Sequence, residues 1–96
     1  MSKKKLSEKE IEALYRKGMK AYRARCYQNA LSWLRLAADH GHPDAQKAVG
    51  DIYSRGDGVK EDLGKALDWY RKAFYNGNGE AGRLEEQICH MLELMI

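Results

Sequence analysis

Ninety-six residues, 44% hydrophobic and 32% charged with a formal net charge of +3, make one domain's worth of globular chain and exclude wholesale disorder. No run approaches the ~18 apolar residues of a membrane span, and Met1-Ser2-Lys3-Lys4-Lys5 has no apolar stretch behind it to serve as a secretory signal. One proline, two valines and no threonine favour helices over strands.

Residues 1–6 read as a basic flexible tail. Ser7-Glu8-Lys9-Glu10 is a capping box that opens a first helix. Ile11, Leu14, Tyr15, Gly18 and Tyr22 form its apolar stripe. A break at Arg25-Cys26-Tyr27 leads to a second helix with Ala30, Leu31, Leu34, Ala37 and Ala38 inward, ended by Gly41. Pro43 suits the first turn of a third helix that buries Ala45, Ala48, Val49, Ile52 and Tyr53. Gly56-Asp57-Gly58 breaks the pattern, and Asp62 caps a fourth helix burying Leu63, Ala66, Leu67, Tyr70, Ala73 and Phe74. Asn76-Gly77-Asn78-Gly79 is a strong turn signal. A fifth helix with Ala81, Leu84, Ile88, Leu92 and Met95 on one stripe runs to the end of the sequence. The expected fold is all-α, an α-hairpin solenoid of about five antiparallel helices.

The chain repeats itself. Ala30-Leu31-Ser32-Trp33-Leu34-Arg35-Leu36-Ala37 returns as Ala66-Leu67-Asp68-Trp69-Tyr70-Arg71-Lys72-Ala73, and both copies run on through a glycine, Gly41 or Gly77. Such a period marks stacked units that cannot bury their apolar faces alone. Trp33 and Trp69 share one repeat position, which predicts that both pack between helices. Gly18, Ala30 and Ala37, like Gly50, Ala66 and Ala73, let helix axes approach closely. The domain is therefore expected over residues 7–96, as units 7–41 and 43–77 followed by a capping helix, 79–96.

From Pro43 to Gly77 the sequence resembles the Sel-one-like repeat (SLR) family, a relative of the tetratricopeptide repeats. The resemblance is carried by Ala45, Ala48, Gly50, Tyr53, Gly56, Gly58-Val59, Asp62, Lys65-Ala66, Trp69-Tyr70-Arg71-Lys72-Ala73 and Gly77. Residues 18–42 are closer to a plain tetratricopeptide unit. Gly18 to Ala30 spans twelve residues against sixteen from Gly50 to Ala66, and the four extra lie in the longer loop. The third unit departs from the pattern, with Glu85-Glu86 in place of Val49-Gly50. Phe74 replaces a small residue, a wedge expected to push the fourth and fifth helices apart. The resemblance implies a right-handed α-α superhelix, a protein-interaction adaptor role and a bacterial source, and it implies no catalysis. No cofactor is expected, and the lack of a signal or span leads to a cytoplasmic expectation.

In the related fold the first helix of each pair lines a concave groove. Registering on Gly18 and Gly50 directs Tyr15, Met19, Tyr22 and Arg23, then Lys47, Asp51, Ser54 and Arg55, toward that groove, and Arg83, Gln87 and His90 join them from the cap. These are the expected contacts for a peptide or protein partner. Tyr15 and Tyr22 also fall on the core stripe, which leaves two readings open for them.

Charge is unevenly spread. Residues 1–36 hold ten Lys/Arg against three Glu, a balance of +7, and residues 37–96 hold seven against eleven acids, −4. Lys3, Lys4, Lys5, Lys9, Arg16, Lys20 and Arg23 make nucleic acid the rival partner, opposed by Glu8, Glu10 and Glu12 among them. The apolar end Met91-Leu92-Glu93-Leu94-Met95-Ile96 points to a homo-oligomer through the last helix.

Other motifs fall short of chemistry. Cys26 and Cys89 lack CxxC spacing and read as reduced, packed thiols, and His40, His42 and His90 have no metal-ligand spacing. Arg55-Gly56-Asp57 spells an adhesion tripeptide. Gly56-Asp57-Gly58 is too short to cradle a phosphate, and Asp57, Glu61 and Asp62 lack the alternation of a calcium loop. No nucleophile–base arrangement is apparent, so no enzyme activity is expected.

Overall fold

A computed structural model describes residues 5–95. It contains five helices, α1 (Glu8–Arg23), α2 (Tyr27–Asp39), α3 (Pro43–Arg55), α4 (Leu63–Tyr75) and α5 (Gly79–Leu94), with no strand among the described residues. Residues 1–4 of the expected basic tail, and Ile96, lie outside the described residues. Each helix packs on the next in chain order, in a body of 46 × 28 × 26 Å. The three-residue links 24–26, 40–42 and 76–78 force the helices they join to run antiparallel.

Helix starts follow local chemistry. The Glu10 amide donates to Ser7 Oγ at 3.2 Å and the Ser7 amide to Glu10 Oε1 at 3.3 Å, closing the capping box. Asp62 and Asn78 accept the Lys65 and Ala81 amides at 2.9 and 3.0 Å. The turn after α1 places Arg25 at φ 62°, a left-handed conformation that Gly adopts at less cost.

The core runs along the array through Ala30, Leu34, Ala37, Ala45, Val49, Ile52, Ala66, Tyr70, Ala73 and Ala81, none more than 1% exposed. Small residues sit where backbones meet large side chains. A Cβ on Gly18 would stand 2.5 Å from Leu34 Cγ, and one on Gly50 would stand 2.6 Å from Tyr70 Cε1. These are equivalent contacts. α1 matches α3 at an offset of 32 residues, and α2 matches α4 at 36.

Four expectations need correction. Trp69 is buried at 8% exposure, whereas Trp33 is 38% exposed. Trp69 lies against Arg35 of the preceding unit, 5.7 Å from its ring; no described helix stands at that place for Trp33, which Lys17 covers at 5.2 Å. Phe74 is exposed rather than inward, and Met95 lies beyond the packed part of α5. Cys26 is exposed at the start of α2, and only Cys89 is partly packed.

Phe74 does not act as a simple wedge, because Gly82 receives it. A Cβ on Gly82 would come within 2.7 Å of the Phe74 ring. At the 36-residue offset these two replace Ala38 and Gln46, where the sizes are reversed. Gln46, buried at 4% exposure, fills the space over Ala38 and donates to its carbonyl at 3.0 Å. One large and one small residue meet at each junction, and α5 packs on α4 much as α3 packs on α2.

Candidate protein-interaction surface

Side chains of α1, α3 and α5 reach one another across a single surface. His42 at the start of α3 uses both ring nitrogens: Nδ1 accepts the Ala45 amide at 3.0 Å and Nε2 meets Glu12 of α1 at 2.7 Å. Tyr15 stacks on the same ring, centroids 4.6 Å apart. One unit later Asn78 does likewise, Oδ1 capping α5 and Nδ2 donating to Asp44 of α3 at 2.9 Å. Glu12 and Asp44 are related by the 32-residue offset, His42 and Asn78 by the 36-residue one.

The middle of the surface is a polar network. Lys47 pairs with Asp51 at 3.1 Å and with Glu80 of α5 at 3.5 Å. Burial works against the Lys47 ammonium, but these two carboxylates hold it above the usual lysine value. The Tyr70 hydroxyl rises from α4 to donate to Asp51 at 2.6 Å and lies 3.4 Å from Ser54 Oγ. Burial, reinforced by Asp51, pushes that hydroxyl far above the usual tyrosine range.

At the far end of α1 the Tyr22 hydroxyl donates to Asp57 at 2.5 Å and accepts from Arg55 Nη1 at 3.0 Å. Burial first, then Asp57, raises the Tyr22 hydroxyl; the bond to Tyr22 raises the Arg55 guanidinium. The neighbouring Gly58, at φ +74°, leaves no room for a Cβ, which would stand 2.5 Å from Tyr27 Cβ. The long loop 56–62 is thereby docked on the preceding unit. The adhesion-like Arg55-Gly56-Asp57 is absorbed here, since both its charged side chains meet one tyrosine.

The residues expected in the groove therefore divide into two sets, with Arg55 between them, exposed yet bonded to Tyr22. Tyr15, Tyr22, Lys47, Asp51 and Ser54 are half-buried and engaged with one another or with loop and helix-cap residues. Met19 is half-buried against the core, so both readings of the tyrosine stripe meet on this face. Arg23, Arg83, Gln87 and His90 are exposed, and no hydrogen bond or ion pair engages their side chains among the described residues. Arg83 borders a hollow of about 290 Å³ with Phe74, Gly79, Gly82, Glu85 and Glu86. A larger hollow, about 520 Å³, lies elsewhere, along Glu8, Lys9, Glu12, Ala13 and Arg16.

Sequence reading missed Glu12, His42, Asp44, Asn78 and Asp57, which organise the surface. Applying the two repeat offsets to polar residues as well as to glycines and tryptophans pairs the first four. Of the cations considered for nucleic acid, Lys3 and Lys4 lie outside the described residues. Lys5, Lys9, Arg16, Lys20 and Arg23 are exposed, with Arg16 paired to Glu12 at 3.5 Å.

A family model for the Sel1 repeat matches residues 26–42 and 43–78, more than half of the chain and across the latched junction just described. The chain belongs to the Sel1 repeat family. Sel1 repeats mediate protein–protein interaction in general, and their helical stacking is the architecture found here. No curated protein and no solved structure matches the chain. In this Sel1 repeat protein the first matched segment begins at Cys26, so α1 precedes it and completes the first helix pair. No helix is long and apolar enough to cross a membrane among the described residues.

Proposed function

We propose that this Sel1 repeat chain is a non-catalytic adaptor, and that the α1–α3–α5 surface grips an acidic peptide segment of a protein partner. The observation that carries this reading is the state of the charges. Three acids of the surface are engaged, Glu12 with His42, Asp51 with Lys47 and Asp57 with Tyr22, whereas Glu86 at the Arg83 hollow is exposed. Arg23 and Arg83 lack an ion pair among the described residues, and Arg55 donates to the Tyr22 hydroxyl, with the charges of Asp51 and Asp57 also acting on it. Three guanidiniums at the edges of a pre-organised surface suit carboxylates, which they bind through paired N–H donors.

Selection from a displayed random peptide library tests the reading. Recovered peptides are expected to be enriched in Asp and Glu, with binding lost in R23E/R83E and reduced by added salt. Recovery of sequences without acidic enrichment, or binding that survives the charge reversal, rules it out.

A further inference from the structure

We infer that the two ends of the array fit each other, so that α5 of one copy docks on the α1–α2 end of a second copy, head to tail. Comparison between units locates the first face. Ala45 and Ile52 of α3, and their equivalents Ala81 and Ile88 of α5, are all buried. No described helix follows α5, so the burial of its pair comes from α4, the helix before it. These positions thus face the preceding helix. On α1 the same positions are Ala13 and Lys20, with Lys17 standing where Val49 is fully buried, and all three are exposed. Trp33 and Leu36 of α2 continue this open face at 38% and 41% exposure. It is an apolar pair beside two lysines.

The second face has the opposite charge and the same apolar character. α5 carries Glu80, Glu85, Glu86 and Glu93 against Arg83, a formal −3, whereas α1 sums to +2. Glu80 and Glu85 pair with Lys47 and Arg71, which leaves the exposed Glu86 and Glu93 to meet a second copy. Met91, Leu94 and Met95 lie at i, i+3 and i+4 at the end of α5, all exposed, and Glu86 and Glu93, at i and i+7, share the face that adjoins Leu94. The stripe lacks a partner within the described chain. Continuation of the repeat by another helix like α4 would bring Arg71 toward Lys17 and Lys20, a like-charge meeting. α5 brings glutamates instead. Charge complementarity therefore selects a second copy's α5 over a further repeat of the α4 kind. The contact joins different surfaces, so it does not close as a two-fold dimer and adds copies end to end.

Sedimentation equilibrium of the full 96-residue chain, from micromolar to millimolar, tests the proposal with two charge reversals at exposed positions. The wild-type weight-average mass is expected to rise continuously with concentration, and less so at high salt. K17E/K20E and E86K/E93K each weaken association by about tenfold or more, while an equimolar mixture of the two restores it, because each supplies the other's complement. Circular dichroism checks that both variants keep their helices, and L36D, which leaves Lys17 and Lys20 in place but puts a carboxylate into the apolar contact, must weaken association in parallel. A wild-type chain that stays monomeric throughout overturns the proposal. A closed dimer that ignores K17E/K20E and L36D but is lost in L94D/M95D also overturns it, and assigns α5 to a two-fold contact.

Discussion

His42 and Glu12 lie 30 residues apart in sequence and 2.7 Å apart in space, and their bond fixes the state of the imidazole. Because Nδ1 accepts the Ala45 amide, the ring hydrogen sits on Nε2 and points at the Glu12 carboxylate. One side chain thus caps its own helix and ties it to the helix of the preceding unit. Replacing it with alanine removes both functions and should cost about 1–2 kcal/mol in urea denaturation. Asparagine performs the same pair of tasks at position 78, so H42N should recover more than half of that loss. Equal destabilisation by H42A and H42N would mean that the Tyr15 stack, and not the latch, is what the ring provides.

The same bond sets an acid sensitivity. The hydrogen bond from His42 outweighs burial and, with the nearby Arg16 charge, keeps the Glu12 carboxyl below its usual 4.5. A carboxyl lowered by folding contributes stability above the unfolded value and loses it as pH falls through the folded one. Thermal melts between about pH 5 and pH 3 should therefore lose less stability in E12Q than in the wild type. The side chain is substantially exposed, so the effect is a change of slope rather than a collapse. Parallel acid limbs for the two proteins would remove Glu12 from the account.

Glycines of this chain divide sharply by what a methyl group would meet. At Gly50 it strikes Tyr70, a ring 1% exposed and held through its hydroxyl, so overpacking exceeds the gain in helix propensity. G50A should lose about 1–3 kcal/mol. At Gly64, on the first turn of α4, the nearest atom is Asp62 Oδ1 at 3.4 Å, and G64A should gain up to about 1 kcal/mol. Chemical denaturation of the two variants gives opposite signs if close helix approach is the reason for Gly50.

Tyr22 docks the long loop through one oxygen. Y22F keeps the ring and its edge contact with Tyr27, 5.5 Å between centroids, but strips Asp57 and Arg55 of their shared partner. We expect a loss of about 1–2 kcal/mol and faster limited proteolysis within residues 56–62. Unchanged cleavage there would show that Gly58 packing alone holds the loop.

Much of the fold was legible because helix signals here are local and redundant. Ser7 with Glu10, Pro43 and Asp62 announce helix starts by chemistry that acts within three residues. The repeat of Trp33 at Trp69 and of Gly18 at Gly50 exposes the stacking. What periodicity could not report was which copy of a repeated residue finds a neighbour. Trp33 and Trp69 share one repeat position in similar local sequence, but Trp69 has Arg35 of a preceding helix, and Lys72 in place of Leu36, against its ring. Phe74 was read against a family pattern without its counterpart Gly82, eight residues on, although the Ala38–Gln46 pair has the same separation. The residues of the candidate surface come from three alternate helices in register, an arrangement that the repeat offsets display. Its internal pairing depends on side-chain reach, which ties Lys47, Asp51 and Tyr22 into the fold and leaves Arg23 and Arg83 exposed.

The reversed sizes at the two junctions give the array an order as well as a stack. Suppose residues 43–78 were duplicated in tandem. The latches would transfer, since Asn78 would meet the copied Ala45 amide as it now meets Ala81. Phe74, however, would face the copied Gln46, and two large side chains would compete for a place that holds one. Shortening Phe74 to alanine in the first copy restores the Ala–Gln match and makes the 36-residue segment an insertable cassette. A single size pair thus acts as an address label, telling each unit which neighbour it may follow.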